Sequence, residues 1–338
     1  MGLDYLLGVY WFVYKNDNGE NMLKTAFIFP GQGAQYVGMA RELIESDSEI
    51  TRHLEIFRKR TGFDLQEIML DGPEEKLKET RFTQPAILFH SIAALRMFQA
   101  KINLKPVFVA GHSLGEFSSL VANGVLSLDN ALYLVHKRGE FMIRASEDKP
   151  FAMVAIIGLS SDKVVGICEM ASKSGIVIAA NFNTPEQTVI SGSREGVGAA
   201  IKIAEAEGAK RIVQLVVGGA FHSPLVAKAS KWLAEEMSRL TFRVTDIPLV
   251  SNVDAEPSTD IEHIKLNLAK QVTSTVRWVE SIEYMTKAGV ELFIEFGPQK
   301  VLSSMLRKID RNLQSISIDK PGDIEIAIEL INDKKIME

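Results

Sequence analysis

Gly111-His112-Ser113-Leu114-Gly115 restricts what this chain can fold into more than any other short stretch of it. The five residues follow the β-favouring run Pro106-Val107-Phe108-Val109-Ala110 and precede Glu116 to Val121, which reads as the start of a helix. A strand that reverses into a helix so abruptly needs positions without a Cβ, and the glycines two residues either side of the serine supply them. Such a turn holds its central residue in a strained conformation with the hydroxyl exposed. The free N–H groups of the helix start then point at any negative charge forming beside it. A plain Gly-Ser turn is the bland alternative; the strand before and helix after favour a nucleophile.

The rest of the chain alternates in the same way. A short apolar run, Thr25 to Phe29, breaks at Pro30-Gly31-Gln32-Gly33, as a strand entering a loop does, and Gln84 to Gln99 repeats apolar residues with helical spacing. Between about 151 and 217 the pattern tightens into strand (Phe151 to Ile157), helix (Ser160 to Ala171), strand (Ile176 to Asn181), strand (Thr188 to Ser191), helix (Arg194 to Glu207) and strand (Arg211 to Val216). That order is a split βαββαβ unit. It predicts a small domain over 150–217 inserted into a larger α/β domain made of 22–149 and 218–338, with a cleft between the two. Residues 1–21 read as an appendage outside the fold. The mixed-charge tail after Asp323 reads as a solvated C-terminal helix.

Composition removes several functions. With 46% hydrophobic and 24% charged residues the chain can bury a large core. The net charge of −5 offers no general field for nucleic acid or an anionic membrane. The apolar run Tyr5 to Val13 is too short to span a bilayer and lacks the basic start of a secretory signal. One cysteine, Cys168, cannot form an internal disulfide, which fits a reducing, cytoplasmic setting. No Cys pair or His-x-x-x-His spacing suggests a metal site, and Gly31 to Gly38 matches neither nucleotide-binding fingerprint.

A serine needs a base to become a useful nucleophile. Of the six histidines, His53, His90, His136 and His263 lie in polar or helical surroundings without a turn, and His112 adjoins the serine on the wrong side of the elbow. His222 instead sits in Val216-Val217-Gly218-Gly219-Ala220-Phe221-His222-Ser223-Pro224, an apolar, Gly-rich exit from a strand ahead of a Pro-initiated helix. Base and hydrogen-bonded core histidine are both open readings for it. Arg138 falls at the centre of the helical face formed by Ala131, Leu134, Val135, Met142 and Ala145. A charge on an apolar stripe requires a partner. Two partners fit: a glutamate such as Glu116, or a substrate carboxylate received through two parallel hydrogen bonds.

Six blocks taken together, Phe29-Pro-Gly-Gln-Gly33, Gly111-His-Ser-Leu-Gly-Glu116, Arg138-Gly-Glu-Phe-Met142, Ala220-Phe-His-Ser223, Pro248-Leu-Val-Ser-Asn-Val-Asp254 and Val276-Arg-Trp278, resemble malonyl-CoA:acyl carrier protein transacylases and the acyltransferase domains of polyketide and animal-type fatty acid synthases. The resemblance runs from about residue 22 to the C-terminus. It implies an α/β-hydrolase-like large domain with an inserted ferredoxin-like small domain. It further implies that Ser113 is acylated, that His222 acts as base then acid, and that the backbone N–H groups of Gln32 and Leu114 form an oxyanion hole. Arg138 would bind the free malonyl carboxylate, and a backbone carbonyl near Gln271 would orient His222 in place of an aspartate. Asn183 would help the histidine or line the cleft with His112 and Phe221, and Phe221 would fill the space that a methylmalonyl methyl needs. Ala34, Phe117 and Thr275 depart from the family pattern, which commonly has serine, tyrosine and proline there.

The implied reaction moves malonyl from malonyl-CoA to an acyl carrier protein acting in trans, by a ping-pong cycle, with no cofactor because coenzyme A is carrier and product. Fatty acid synthesis is the expected pathway and polyketide synthesis the alternative. An acidic carrier would call for a local basic rim, with Lys210 and Arg211 as the clustered candidates. An esterase or thioesterase shares the serine turn but normally orders Ser, Asp/Glu, His with the histidine near the C-terminus. Here more than a hundred residues follow His222. A silent carrier-binding scaffold is disfavoured by the intact Ser113, His222 and Arg138.

Overall fold

A computed structural model of the chain describes residues 23–147 and 149–336. The expectation for residues 1–21 lies outside them. Among the described residues, ten strands form two sheets: β1 (Thr25–Phe29), β2 (Phe108–Gly111), β7 (Leu249–Val250), β8 (Pro257–Ser258), β9 (Leu292–Phe296) and β10 (Ser315–Ile318) in one, β3 (Phe151–Ile157), β4 (Val177–Thr184), β5 (Gln187–Ser193) and β6 (Arg211–Gln214) in the other. The molecule is therefore mixed α/β, with a largely parallel sheet and a separate antiparallel one.

The larger sheet has the order β10-β9-β1-β2-β7-β8, parallel throughout except for the β7–β8 edge. Parallel strands covered on both faces read as continuous apolar runs, and every residue of β1 and β9 is buried. Glu295 in β9 is the charged exception; its carboxylate accepts the Leu302 and Ser303 N–H groups at 2.8 Å each, capping the Val301–Ile309 helix. β1 and β2 run side by side with Phe29 opposite Gly111, so the loops leaving their carboxyl ends emerge together. The loops approach so closely that a Cβ on Gly31 would stand 2.5 Å from the His112 carbonyl oxygen, and one on Gly115 2.0 Å from that of Phe29.

The smaller sheet comes from the βαββαβ order read in the sequence, with strands β4-β5-β3-β6 all antiparallel to their neighbours. Its Ser161–Ala171 and Arg194–Ala206 helices are capped by Ser160 and Ser193, whose side chains accept the Lys163 and Gly196 N–H groups. Val154, Ile156, Val164, Ile167, Cys168, Ile190 and Val197 make a separate small core. Cys168 is buried there, and burial pushes its thiol up to about 12, which suits a packing residue.

At the C-terminus the expected helix forms, but it is not solvated all round. The Pro321–Ile336 helix is docked along one side, with Ile324, Ala327 and Ile331 fully buried while Ile326 and Leu330 face solvent. Charged residues between these positions masked an i, i+3, i+7 apolar stripe. Among the described residues no helix is long and apolar enough to cross a membrane.

Candidate active site

Ser113 sits immediately beyond β2 with φ of +51°, the left-handed region that a residue with a Cβ occupies only under constraint. The constraint is Asn252, just after β7. Its Oδ1 accepts the Ser113 N–H at 2.7 Å and its Nδ2 donates to the Gly111 carbonyl at 2.7 Å, bracing both sides of the turn. Leu114 then leads directly into the Gly115–Ala122 helix.

His222 reaches the serine from another loop and also has a positive φ, +57°. Its Nε2 lies 2.8 Å from Ser113 Oγ, and its Nδ1 lies 2.8 Å from the Gln271 carbonyl oxygen and 3.2 Å from that of Ser274. Carbonyl oxygens only accept, so Nδ1 carries the hydrogen and Nε2 presents its lone pair to the serine hydroxyl. No carboxylate is needed for that tautomer. Burial, and then the charge of Arg138, push His222 down to about 3, so it stands neutral with the Nε2 lone pair free.

Arg138 projects from the buried face of the Leu128–Ser146 helix and is 1% exposed. Its Nη2 donates to Ser113 Oγ at 3.0 Å and to Gln271 Oε1 at 2.8 Å, and its Nη1 donates to Gln84 Oε1 at 2.9 Å. Its Nε is buried without a partner among the described residues. The sequence left a Glu116 ion pair open as the plain reading of this charge; the direct partners are instead neutral amides and the serine. Glu116 acts on it only through space, opposing the burial that pulls Arg138 down to about 10. The guanidinium therefore stays charged at neutral pH with its charge uncancelled by contact.

Glu116 is fully buried and accepts from the Asn252 N–H and from Gln271 Nε2. Burial pushes its carboxyl up to about 8 against the opposing pull of those donors and of Arg138. Gln271 Nε2 also donates to the Ser113 carbonyl at 2.9 Å. Gln271 was expected to contribute a backbone carbonyl; its side chain proves equally engaged.

The other predicted residues fall into two groups. Leu114 follows the serine, Gln32 follows Gly31, which packs against the His112 carbonyl, and among the described residues neither backbone N–H has a protein acceptor. Asn183, on β4, accepts from His112 Nε2 at 2.8 Å through Oδ1, and among the described residues no hydrogen bond joins it to His222. This pair joins the two sheets at the site. Phe221 is packed in the main core at 6% exposure. Thr275 replaces proline without loosening Gln271: its hydroxyl donates to the Ala179 carbonyl at 2.7 Å, and the Val276 N–H donates to that of Ala180 at 2.8 Å. Lys210 is engaged by Glu186 at 3.1 Å, so the Lys210–Arg211 rim carries less free charge than the sequence suggests.

Asn252, Gln84 and Ser274 were not singled out from the sequence. Asn252 lay inside the Pro248–Asp254 block, and Gln84 is a polar residue at the head of an apolar helix; those were the available signals. Among the described residues no cluster of three or more His, Cys, Asp or Glu is placed to hold a metal.

The depressed His222 gives a testable sign. An unfolded histidine titrates near 6.5 and the folded one near 3, so between these values the unfolded chain binds a proton that the folded chain refuses. Stability attributable to this group is intact above about 6.5 and is lost as pH falls toward about 3. Urea midpoints of His222→Asn should decline less steeply than those of the parent chain from pH 6.5 to 4; parallel curves would contradict the burial of a neutral imidazole.

Comparison with known proteins places this arrangement. The family described as acyl transferase domain matches residues 26–324. The malonyl CoA-acyl carrier protein transacylase of Bacillus subtilis is 40% identical over 314 residues, covering 93% of this chain and 99% of that protein. The structure of the Coxiella burnetii malonyl CoA-acyl carrier protein transacylase superposes with a TM-score of 0.88 at 36% identity, covering 92% of this chain and 98% of that one. A malonyl-transacylase solved with its type II polyketide acyl-carrier protein gives a TM-score of 0.87 at 35% identity, covering 91% of this chain and 99% of that one.

Proposed function

The chain belongs to the acyl transferase domain family, and from that premise we propose that it transfers a malonyl group from coenzyme A to the phosphopantetheine thiol of an acyl carrier protein through a malonyl ester of Ser113. The observation that carries this reading is the buried Arg138 guanidinium held 3.0 Å from the serine oxygen. A generic hydrolase has no use for a fixed cation there, whereas an acyl group ending in a carboxylate does.

In this reading Ser113 Oγ attacks the thioester carbonyl carbon as its proton passes to His222 Nε2. The oxyanion is received by the Gln32 and Leu114 N–H groups. Collapse breaks the carbon–sulfur bond, and the proton on His222 goes to the departing coenzyme A sulfur. The carrier's thiol then gives its proton to the same nitrogen and takes the acyl group, returning the proton to Ser113. Pairing of Arg138 with the malonyl carboxylate offsets one of the two main causes of the low His222 basicity, so the correct substrate strengthens its own base. Coenzyme A is a carrier of substrate here, not a resident cofactor.

We read the larger sheet as an α/β-hydrolase-like domain, 22–149 with 218–338, and 150–217 as a ferredoxin-like insertion; the serine turn after a parallel strand and the β4-β5-β3-β6 order support this. Asn183 and His112 line the cleft at their junction, with Phe221 packed beside it. A cytoplasmic setting accords with the lone buried Cys168. Extender supply for fatty acid synthesis is the primary assignment. The similar transacylase bound to a polyketide carrier favours polyketide synthesis as the second. Transfer assays with purified carriers of each kind separate them. The core proposal is tested by mass spectrometry after mixing with malonyl-CoA: a persistent malonyl adduct on Ser113, discharged by added carrier protein, is expected. Rapid release of free malonate without an adduct would assign a hydrolase.

A further inference from the structure

Glu116 touches none of the reacting atoms, yet it is completely buried and both of its oxygens are used. One accepts the Asn252 N–H, the residue that braces the serine turn. The other accepts from Gln271 Nε2. A primary amide in a buried site can be turned either way, and its neighbours decide which end faces where. Both Glu116 oxygens accept here, and the Ser113 carbonyl, 2.9 Å away, can only accept, so the two together fix the nitrogen of Gln271 toward them. The oxygen of the same amide must then face the opposite way, where it accepts from Arg138 Nη2 at 2.8 Å.

We propose that Glu116 is a positioning residue for substrate choice: it sets the orientation of the Gln271 amide, and through that amide it holds the Arg138 guanidinium where a substrate carboxylate can be received. This rests on the reading of Arg138 as the carboxylate receptor. The backbone carbonyl of Gln271 meanwhile orients His222 at 2.8 Å, so one residue carries the alignment of both the base and the cation. The two functions are separable, because the backbone carbonyl survives any change of side chain.

Glu116→Gln tests the idea with almost no change of volume. A glutamine at 116 can still accept the Asn252 N–H, but it then presents an NH2 to Gln271. Two NH2 groups then face each other, so the Gln271 amide must shift off its place between the Ser113 carbonyl and the Arg138 N–H. The specificity ratio, kcat/KM for malonyl-CoA over kcat/KM for acetyl-CoA, should fall at least about tenfold, carried mainly by a raised KM for malonyl-CoA, with acetyl transfer within about threefold of the parent. A merely structural role would lower both substrates together and leave the ratio unchanged, and that result overturns the proposal.

Gln271→Met removes the amide but keeps the backbone carbonyl, and it should lower the same ratio. Adding Glu116→Gln to it should lower the ratio no further, since the link is already cut. If Glu116→Gln does not fold alone, an unchanged ratio in Gln271→Met is sufficient to overturn the proposal. Arg138→Ala, measured alongside, tells the two failures apart. Equal loss of both substrates there removes the receptor reading itself, whereas selective malonyl loss there with an unchanged ratio in Glu116→Gln removes only the role of Glu116.

Discussion

Ser113→Ala is expected to abolish the malonyl adduct and to lower transfer to carrier protein by roughly 10⁴-fold or more, the scale seen when the nucleophile of a cooperating catalytic unit is removed. The size of the effect follows from the geometry. Ser113 Oγ is the one atom to which both His222 and Arg138 are directed, at 2.8 and 3.0 Å, so nothing nearby can substitute for it. Replacing it removes the acyl acceptor while leaving Asn252 to brace the turn through backbone atoms only. The fold should therefore survive, with a circular dichroism spectrum and thermal midpoint close to the parent. Transfer that persists above about a hundredth of the parental rate would show that the acyl group does not pass through this residue.

Arg138→Ala should have the second largest effect, and a selective one. Two charge-assisted hydrogen bonds to a carboxylate are each worth about 1.5–3 kcal/mol, so malonyl transfer should fall roughly 10²- to 10⁴-fold. Acetyl transfer should hold within about tenfold, because acetyl has no carboxylate to lose. Removing the cation also relieves one cause of the low His222 basicity, which works in favour of acetyl transfer. Arg138→Lys restores a charge without the planar fork and should recover only part of the malonyl rate. Parallel kinetics with malonyl-CoA and acetyl-CoA check all three statements. Equal loss of both substrates would mean that Arg138 serves the serine alone.

Much of the fold was legible because local pattern and tertiary burial agree. The Thr25–Phe29 and Phe151–Ile157 strands stand where their apolar runs end, and the Arg194 helix starts at the residue after its serine cap. The whole βαββαβ unit could be read because each of its elements is short, bounded by turn residues and close in sequence to its sheet partners. The C-terminal helix was read as a helix, but its docking was missed because charges between its buried positions hid the stripe that docks it.

The site divides along the same line. Ser113 was marked by glycines that a sharp turn requires, and Arg138 by a charge at the centre of an apolar helical face; in both cases the sequence carries the anomaly within one turn or a few turns of chain. Asn252, Gln84 and the side chain of Gln271 carry no such mark, since an asparagine or glutamine is unremarkable wherever it occurs. Whether a buried amide is a strut or a bystander depends on what stands 3 Å away.

The sequence by itself determined that a serine is held on a strand-to-helix turn, that a histidine follows on a Gly-rich loop, and that an arginine is buried in need of a partner. Only the tertiary structure decided what that partner is. Because β1 lies between β9 and β2, and β7 lies on the far side of β2, residues more than a hundred positions apart converge on the serine turn. There the arginine meets two amides and the serine oxygen in place of a carboxylate, and so keeps its charge available for a substrate. Periodicity reports which side chains leave water; the order of strands decides which of them meet.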